Sequence, residues 1–546
     1  LLGAAALVGN LMAELKKRQE KASRNIDENL QLKKLWSVST REFEQKAETL
    51  QASRQRLEAV LNSAMDPVVA KLIIERRLRN EKRQISVLFS DLVNFTEHSQ
   101  GRPPEDVIQD LNRYFGEMGP ALSCFHGHLD KFLGDGLMAE FGSPYPARHH
   151  PLLATLAGLK MQDRLQQKNF PWKMRVGIAT GGVLVGLIGS EARRNYTAVG
   201  DSVNLAARLQ AICPPGSVCV DETCYRFIER WCRARPMRKG LNPQEAQDLE
   251  ARLALLDEAI SQAPTRELFL EAADLASELE RMDVARKYHQ KAVELAPPER
   301  RALEAAIAAA LLTGQERAFL SVKGKRVRVP AYEVLGLKDF LSGPRLPAKA
   351  AQTYKGLSEE NPVPENELLA LEALEGSLGH SQVTAALSAV LADSLGLGPE
   401  QVRHAFLAGF FCDIGKRSVP EHLLSCPETL EELPAGDREL VQAHVKAAGP
   451  ALDDLGLRLE PEILEAIAQH HERWDGSGYP NGLKGRQIGE LGRIVGLADS
   501  YESLTAWRPY QEAWSVQSAL TEISKFIEDG SIDPKVGKVF LTMMGV

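Results

Sequence analysis

Two aspartates, Asp91 and Asp135, each close a short apolar run: Ile85 to Phe89 before Ser90-Asp91, and Phe132-Leu133 before Gly134-Asp135-Gly136. Such runs read as strands ending in turns. Carboxylates at two neighbouring strand ends make the oxygen ligand set that magnesium prefers when it also shares substrate phosphates. A metal pair held there lowers the pKa of an attacking hydroxyl and neutralises phosphate charge. The loop after Asp91, through Asn94, Phe95 and Thr96, offers backbone amides to a polyphosphate. Downstream, Asn204 and Arg208 stand four apart at the start of a helical stretch and so share one face. An amide and a guanidinium aimed at one point suit a phosphorus centre on which charge grows during ring closure. Each piece has a plainer reading, the aspartate as a cap and the Asn-Arg pair as a solvated face. Their occurrence together, in this order, points to metal-assisted phosphoryl chemistry.

A second concentration of chemistry lies near the other end. From about Glu365 the pattern is helical and holds half of the chain's twelve histidines, which points to bound metal.

The elements that must position these groups are legible in outline. At 546 residues the chain needs several cores. Its 44% hydrophobic and 25% charged content is that of ordinary globular protein. A net charge of −7 gives no electrostatic reason to expect nucleic-acid binding. Seven cysteines without a CxxC pair fit a reducing compartment, hence cytoplasmic domains. The irregular spacing of Cys213, Cys219, Cys224 and Cys232 favours packing over zinc. In residues 1–11 the apolar run Leu1 to Val8 reads either as the end of a membrane helix, followed by basic Lys16, Lys17 and Arg18 on the inner face, or as an apolar helix end. Over 12–80, Trp36, Phe43, Leu50 and Leu57 follow a heptad, interrupted at Arg54; this is an imperfect coiled coil or a solvated single helix.

Residues 81–237 alternate strand and helix signals in an α/β manner. Met174 to Ala179 and Val183 to Ile188 are read as two strands joined by Thr180-Gly181-Gly182. Residues 238–316 turn helical and rich in alanine. Ala259 and Pro264 recur about 33 residues on as Ala292 and Pro297, with Ala273 and Ala285 between, so the segment resembles a tetratricopeptide hairpin. An isolated hairpin of this kind packs on its host or on a protein partner. Residues 317–340, with Lys323-Gly324-Lys325 and Val327 to Val334, are expected to form a hairpin, and Ser342-Gly343-Pro344 a linker.

The segments Leu88 to Thr96, Asp130 to Asp135 and Tyr196 to Arg208 resemble those of class III adenylyl cyclases. The resemblance implies a ferredoxin-like α/β domain in which Asp91, the Leu92 carbonyl and Asp135 bind two Mg²⁺ or Mn²⁺. It also implies that Lys131 and Thr197 read adenine, Asn204 orients the ribose and Arg208 stabilises the transition state, in a homodimer acting on ATP. Guanylyl cyclases tend to carry an acidic residue where this chain has Lys131. The hairpin near Lys323 resembles the end of that fold, where a lysine contacts phosphate, which would make 238–316 an insertion.

Residues 345–546 contain His470-His471-Glu472-Arg473-Trp474-Asp475-Gly476-Ser477-Gly478-Tyr479-Pro480, a close match to the HD-GYP signature of all-α cyclic di-GMP phosphodiesterases. By that resemblance His380, Cys412, Asp413, His444, His470, His471 and Asp499 are metal ligands for an iron or manganese pair, and Lys416 contacts phosphate. Cys412 stands where the family has histidine, and Gly376 where some members have a third-metal glutamate. The whole reads as a multidomain adenylyl cyclase. The alternatives are cyclic di-GMP hydrolysis as the main activity, or a scaffold with a degenerate HD-GYP domain.

Overall fold

A computed structural model of the chain describes residues 12, 16–17, 36, 40, 44–56, 67–74, 78–190, 193–237, 243–278, 282–297, 319–321, 328–426 and 428–546. Residues 1–11, Phe43, Leu57, Lys323 and Val327 lie outside the described residues. In the first unit, residues 44–56 are helical with exposed side chains, so Leu50 of the heptad stays uncovered within one chain. Among the described residues no helix is long and apolar enough to cross a membrane.

The α/β part is built on strands β1 (Glu81–Leu92), β2 (His128–Leu133), β3 (Gly136–Phe141), β4 (Met174–Ser190), β5 (Arg193–Val199), β6 (Val218–Asp221), β7 (Cys232–Pro236), β8 (Phe319–Ser321) and β9 (Arg328–Leu337). The main sheet runs β2-β3-β1-β4-β6-β9-β7, with β5 paired to β4 and β8 to β9. Only β4 and β6 are parallel among the pairs described. The strand at 328–337 thus returns across the helical segment to lie between β6 and β7.

The two strands expected around Thr180-Gly181-Gly182 are one. β4 runs unbroken and pairs with β1 from Glu81↔Val185 to Leu92↔Met174. The glycines mark a close approach instead of a turn, because a Cβ on Gly181 would lie 2.2 Å from Ser202 Oγ, at the start of the helix Asp201–Ile212. Side chains alternate across a strand. Gly177 faces this helix, and neighbouring Val176 packs toward Gly158 of the helix His150–Gln167, so the two helices cover opposite faces of β4.

Helices Pro243–Gln262, Arg266–Glu278 and Met282–Glu294 follow, the last two packed together around buried Ala272, Ala276 and Ala285. From Ala350 onward the chain is helical. The helix His380–Ser394 is buried along nearly its whole length, against Pro399–Phe411 and Glu490–Thr505.

The α/β and helical parts share a packed boundary that the sequence does not announce. His149 Nδ1 lies 2.9 Å from the carbonyl of Leu374, Trp231 meets Trp507 edge-on at 5.5 Å, and Arg230 stacks over Trp507 at 4.0 Å. Removing a large aromatic from such a contact costs about 2 kcal/mol. Trp507→Ala is therefore expected to lower the unfolding free energy by about that amount, and calorimetry should then resolve separate transitions where the wild type gives overlapping ones.

Candidate functional site

The end of β1 sets Asp91 opposite Arg175 of β4, and the β2–β3 turn carries Asp135. The structure brings these carboxylates together. Burial and the nearby charge of Asp135 push the Asp91 carboxyl above its ordinary range, against the pull of Arg175 and Gln210. A carboxylate pair in which burial and a neighbouring negative charge disfavour the charged form of Asp91 offers a charge well for divalent cations. Leu92 is buried, and the Val93 N–H is already given to the Lys173 carbonyl at 2.8 Å. Asn94 turns the chain with φ 60° into the short helix Phe95–Ser99. The Phe95 ring packs on Trp172 at 5.4 Å, so what Phe95 and Thr96 can offer a phosphate is their first-turn N–H groups, not the ring.

Lys131 and Thr197 also meet: Lys131 Nζ donates to Thr197 Oγ1 at 3.2 Å. Thr197 Oγ1 in turn donates to Asp130, a residue the sequence reading passed over. Asn204 is exposed on its helix. Arg208 is half-buried, with Nη1 shielded and without a hydrogen-bond partner among the described residues. A shielded guanidinium nitrogen without a partner among the described residues is open to an acceptor carried by a ligand. Carboxylate pair, Lys-Thr pair and helix face are thus each assembled within one chain.

The four clustered cysteines are free and buried, with Cys213 and Cys219 sulfurs 2.7 Å apart in a hydrogen bond, so packing is their role.

The helical part gathers the histidines. Ligand atoms of Asp413, His444, His470 and His471 all lie within 4.8 Å of one another, as do those of His380, Cys412 and Asp413. Asp413 is common to both sets. Asp413 Oδ1 is 3.5 Å from His444 Nε2, and Oδ2 is 3.2 Å from His380 Nε2, which itself is 3.5 Å from Asp499 Oδ1. His444 Nδ1 lies 2.7 Å from the Val441 carbonyl and His470 Nδ1 2.6 Å from that of Ile467, leaving both Nε2 atoms buried and facing Asp413 without a hydrogen bond among the described residues. Burial pushes the His444 imidazole down to about 3 and lowers His470 and His471, so all three are neutral, the form that binds metal. His471 stacks on Tyr479 at 4.7 Å. The donor set fits a divalent metal between imidazoles and carboxylates.

Four residues behind this cluster, Glu502, Arg508, Glu372 and Glu375, had no sequence signal. Glu502 lies 2.6 Å from His380 Nδ1 and 2.5 Å from Arg508 Nη2. Glu372 accepts the N–H groups of Gly379 and Ser381 at the head of the helix that carries His380. Lys416, expected at a phosphate, is held by Asp413 at 2.8 Å and Glu375 at 2.9 Å. Cys412 is fully buried, 3.8 Å from His380 Nε2 and bonded to the Gly409 carbonyl. Burial, aided by the charge of Asp413, pushes its thiol up to about 12, which keeps it from being a ready thiolate ligand. Cys412→His is expected to raise the metal retained per chain toward two equivalents, measured by elemental analysis after gel filtration; unchanged content would show that the sulfur position is not what limits the second site.

The α/β sheet with its paired aspartates and the helical histidine cluster are thus two separate candidate sites. Residues 78–248 match the family model of the adenylate and guanylate cyclase catalytic domain, and residues 365–536 that of the HD domain. The chain therefore joins a class III nucleotidyl cyclase domain to a C-terminal HD domain. A cyclic di-GMP phosphodiesterase of Pseudomonas aeruginosa is 35% identical over 185 residues, covering 33% of this chain and 43% of that protein. Adenylate cyclase 1 of Rhizobium meliloti is 32% identical over 139 residues, 24% of this chain and 21% of that protein. Among solved structures, the adenylyl cyclase CyaB from P. aeruginosa aligns at 22% identity with a TM-score of 0.32, over 48% of this chain and 98% of that one. This chain spans less than half the length of both curated relatives.

Proposed function

We propose that this chain is an adenylyl cyclase that works as a homodimer and converts ATP to cyclic AMP and pyrophosphate. Asp91, the Leu92 carbonyl and Asp135 hold two Mg²⁺ or Mn²⁺ ions, and the ribose 3′-OH attacks the α-phosphate. Lys131 and Thr197 read the base, Asn204 orients the ribose, and Arg208 meets the growing phosphorane charge. Asn94, Phe95, Thr96 and Lys323 contact the polyphosphate. The observation that carries the choice of ATP is the Lys131–Thr197 hydrogen bond, a cationic donor beside a hydroxyl, which suits the N1 acceptor and N6 donor of adenine. The Nη1 of Arg208, without a hydrogen-bond partner among the described residues, supports an acceptor arriving with the substrate. Purified protein with ATP and Mn²⁺ should release cyclic AMP and pyrophosphate in equal amounts. A higher kcat/KM for cyclic GMP from GTP would overturn the reading. Because the site is shared across the dimer, mixing inactive Asp91→Ala and Arg208→Ala chains should restore one working site per heterodimer.

A second activity rests on the imidazole nitrogens of His444 and His470 that face Asp413 without a hydrogen bond among the described residues. A metal bound there supplies an activated water, and the HD domain then hydrolyses a cyclic dinucleotide such as cyclic di-GMP. Manganese- or iron-loaded protein that leaves cyclic di-GMP intact would refute it. The helical segment after Pro243 is in this account a surface for a protein partner.

A further inference from the structure

β2 pairs regularly with β3 at His128↔Glu140 and Leu129↔Ala139, then shifts register, so that Lys131 faces Met138 and Asp130 is the extra residue of a bulge. In a regular strand, successive side chains point to opposite faces, and a bulge re-aims them. Here consecutive residues converge on one hydroxyl. Asp130 Oδ2 accepts from Thr197 Oγ1, Lys131 Nζ donates to the same Oγ1 at 3.2 Å, and Lys131 Nζ stands 3.5 Å from Asp130 Oδ2. The Asp130 side chain is 1% exposed, whereas that of Lys131 is 39% exposed, so the acid is the interior support and the amine reaches outward.

We propose that Asp130 is a specificity-determining positioning residue that sets purine choice by fixing the direction of the Thr197 hydroxyl. This rests on the adenylyl cyclase reading above. Burial raises the Asp130 carboxyl above its ordinary range, while the Thr197 hydrogen bond and the Lys131 charge favour its ionised form; as a carboxylate it only accepts hydrogen bonds, so the single proton of Thr197 is committed to it. One lone pair of Oγ1 accepts the hydrogen bond from Lys131, and the other is left to accept one from the base. Adenine matches this pattern, its N6 amino group donating to Thr197 while N1 accepts from Lys131. Guanine opposes it twice, since O6 meets a lone pair and N1–H meets an ammonium. A free threonine hydroxyl would rotate and donate to O6, so the acid, more than the threonine, excludes guanine. A site built around one donor–acceptor pattern discriminates strongly because the wrong partner leaves polar groups unpaired.

The experiment uses the full chain with Mn²⁺ and two readouts: kcat/KM for ATP and GTP, and equilibrium affinity for non-hydrolysable analogues of ATP, purine riboside triphosphate and inosine triphosphate. The wild type should bind them in that order, because the second lacks the donor and the third adds an acceptor. Asp130→Ala should lower the ATP-to-GTP ratio about tenfold or more, and Asp130→Asn, which still presents an oxygen, should hold it within about threefold of wild type. Thr197→Val should also lower the ratio, and adding Asp130→Ala to it should change the ratio by less than about twofold. An equal fall on both nucleotides in Asp130→Ala, or an undiminished effect in the Thr197→Val background, would overturn the proposal in favour of a merely structural acid. If Asp130→Ala does not fold, the analogue series on the wild type still decides: inosine triphosphate binding as tightly as ATP overturns it. Absence of cyclic AMP from the wild type would sink the activity reading alone, and the order of affinities would still judge this inference.

Discussion

Asp91→Asn should reduce cyclic nucleotide formation about a thousandfold, equivalent to roughly 4 kcal/mol of transition-state stabilisation, while leaving the metal-free protein no less stable. The loss follows from the role proposed for Asp91, a carboxylate that neutralises a divalent cation; an amide of the same shape supplies the oxygen but not the charge. The stability result comes from linkage. Burial and the charge of Asp135 raise the folded-state pKa of Asp91 above its ordinary value, so the folded protein binds more protons than the unfolded chain over that interval. Stability from this group is present at low pH and is lost as pH rises from the ordinary carboxylate range through the raised value. At neutral pH the wild type carries that penalty unless a cation relieves it, and the asparagine variant does not. Thermal melts in chelator should therefore place the variant at or above the wild type. Added Mg²⁺ at a hundredfold excess over its dissociation constant should stabilise the wild-type site by about 2.7 kcal/mol, an increment missing from the variant. A variant that melts lower in chelator would show that Asp91 serves the fold, and one that keeps full activity would remove it from the metal site.

The strand ends bearing Asp91 and Asp135 were legible because apolar runs stopped at charged turns, and the pairing of those carboxylates followed. The histidine cluster was legible through the number and order of the histidines and aspartates that the helices bring together. What escaped was written in contacts between distant segments. Thr180-Gly181-Gly182 has turn composition, yet β1 pairs with β4 straight across it, and the missing side chains serve the helix that begins nearby. Strand periodicity places Asp130 and Lys131 on opposite faces, and only the bulge, set by pairing with β3, turns both toward Thr197. Glu502 and Arg508 stand far from His380 in sequence, with nothing local to mark them as its support. Trp507 reads as one more aromatic of a helical domain until Trp231 is found against it.

Gly177→Ala should be a severely damaging single-methyl change in the cyclase domain, because it strikes the seat of the helix that carries Asn204 and Arg208 without replacing either. A Cβ at this position would fall 2.1 Å from the Gln210 nitrogen and 2.4 Å from the Ala206 oxygen. Both are backbone atoms of the helix Asp201–Ile212, so no side-chain rotation relieves the overlap, and the helix must lift from β4. Overpacking of this kind costs about 1–3 kcal/mol, and contacts this short place the change at the upper end. The same helix presents Asn204 and Arg208, and its Gln210 reaches Asp91. A shift of about 1 Å at reacting groups can cost on the order of a hundredfold in rate. The variant is therefore expected to lose about 3 kcal/mol of cyclase-domain stability by urea titration, and to lose kcat by about a hundredfold at temperatures where it remains folded. Metal retention by the HD domain, whose ligands lie on other helices, should be unaffected. An alanine variant with wild-type kcat would mean that the helix can move without consequence, and that Arg208 is not held in place by its packing on β4.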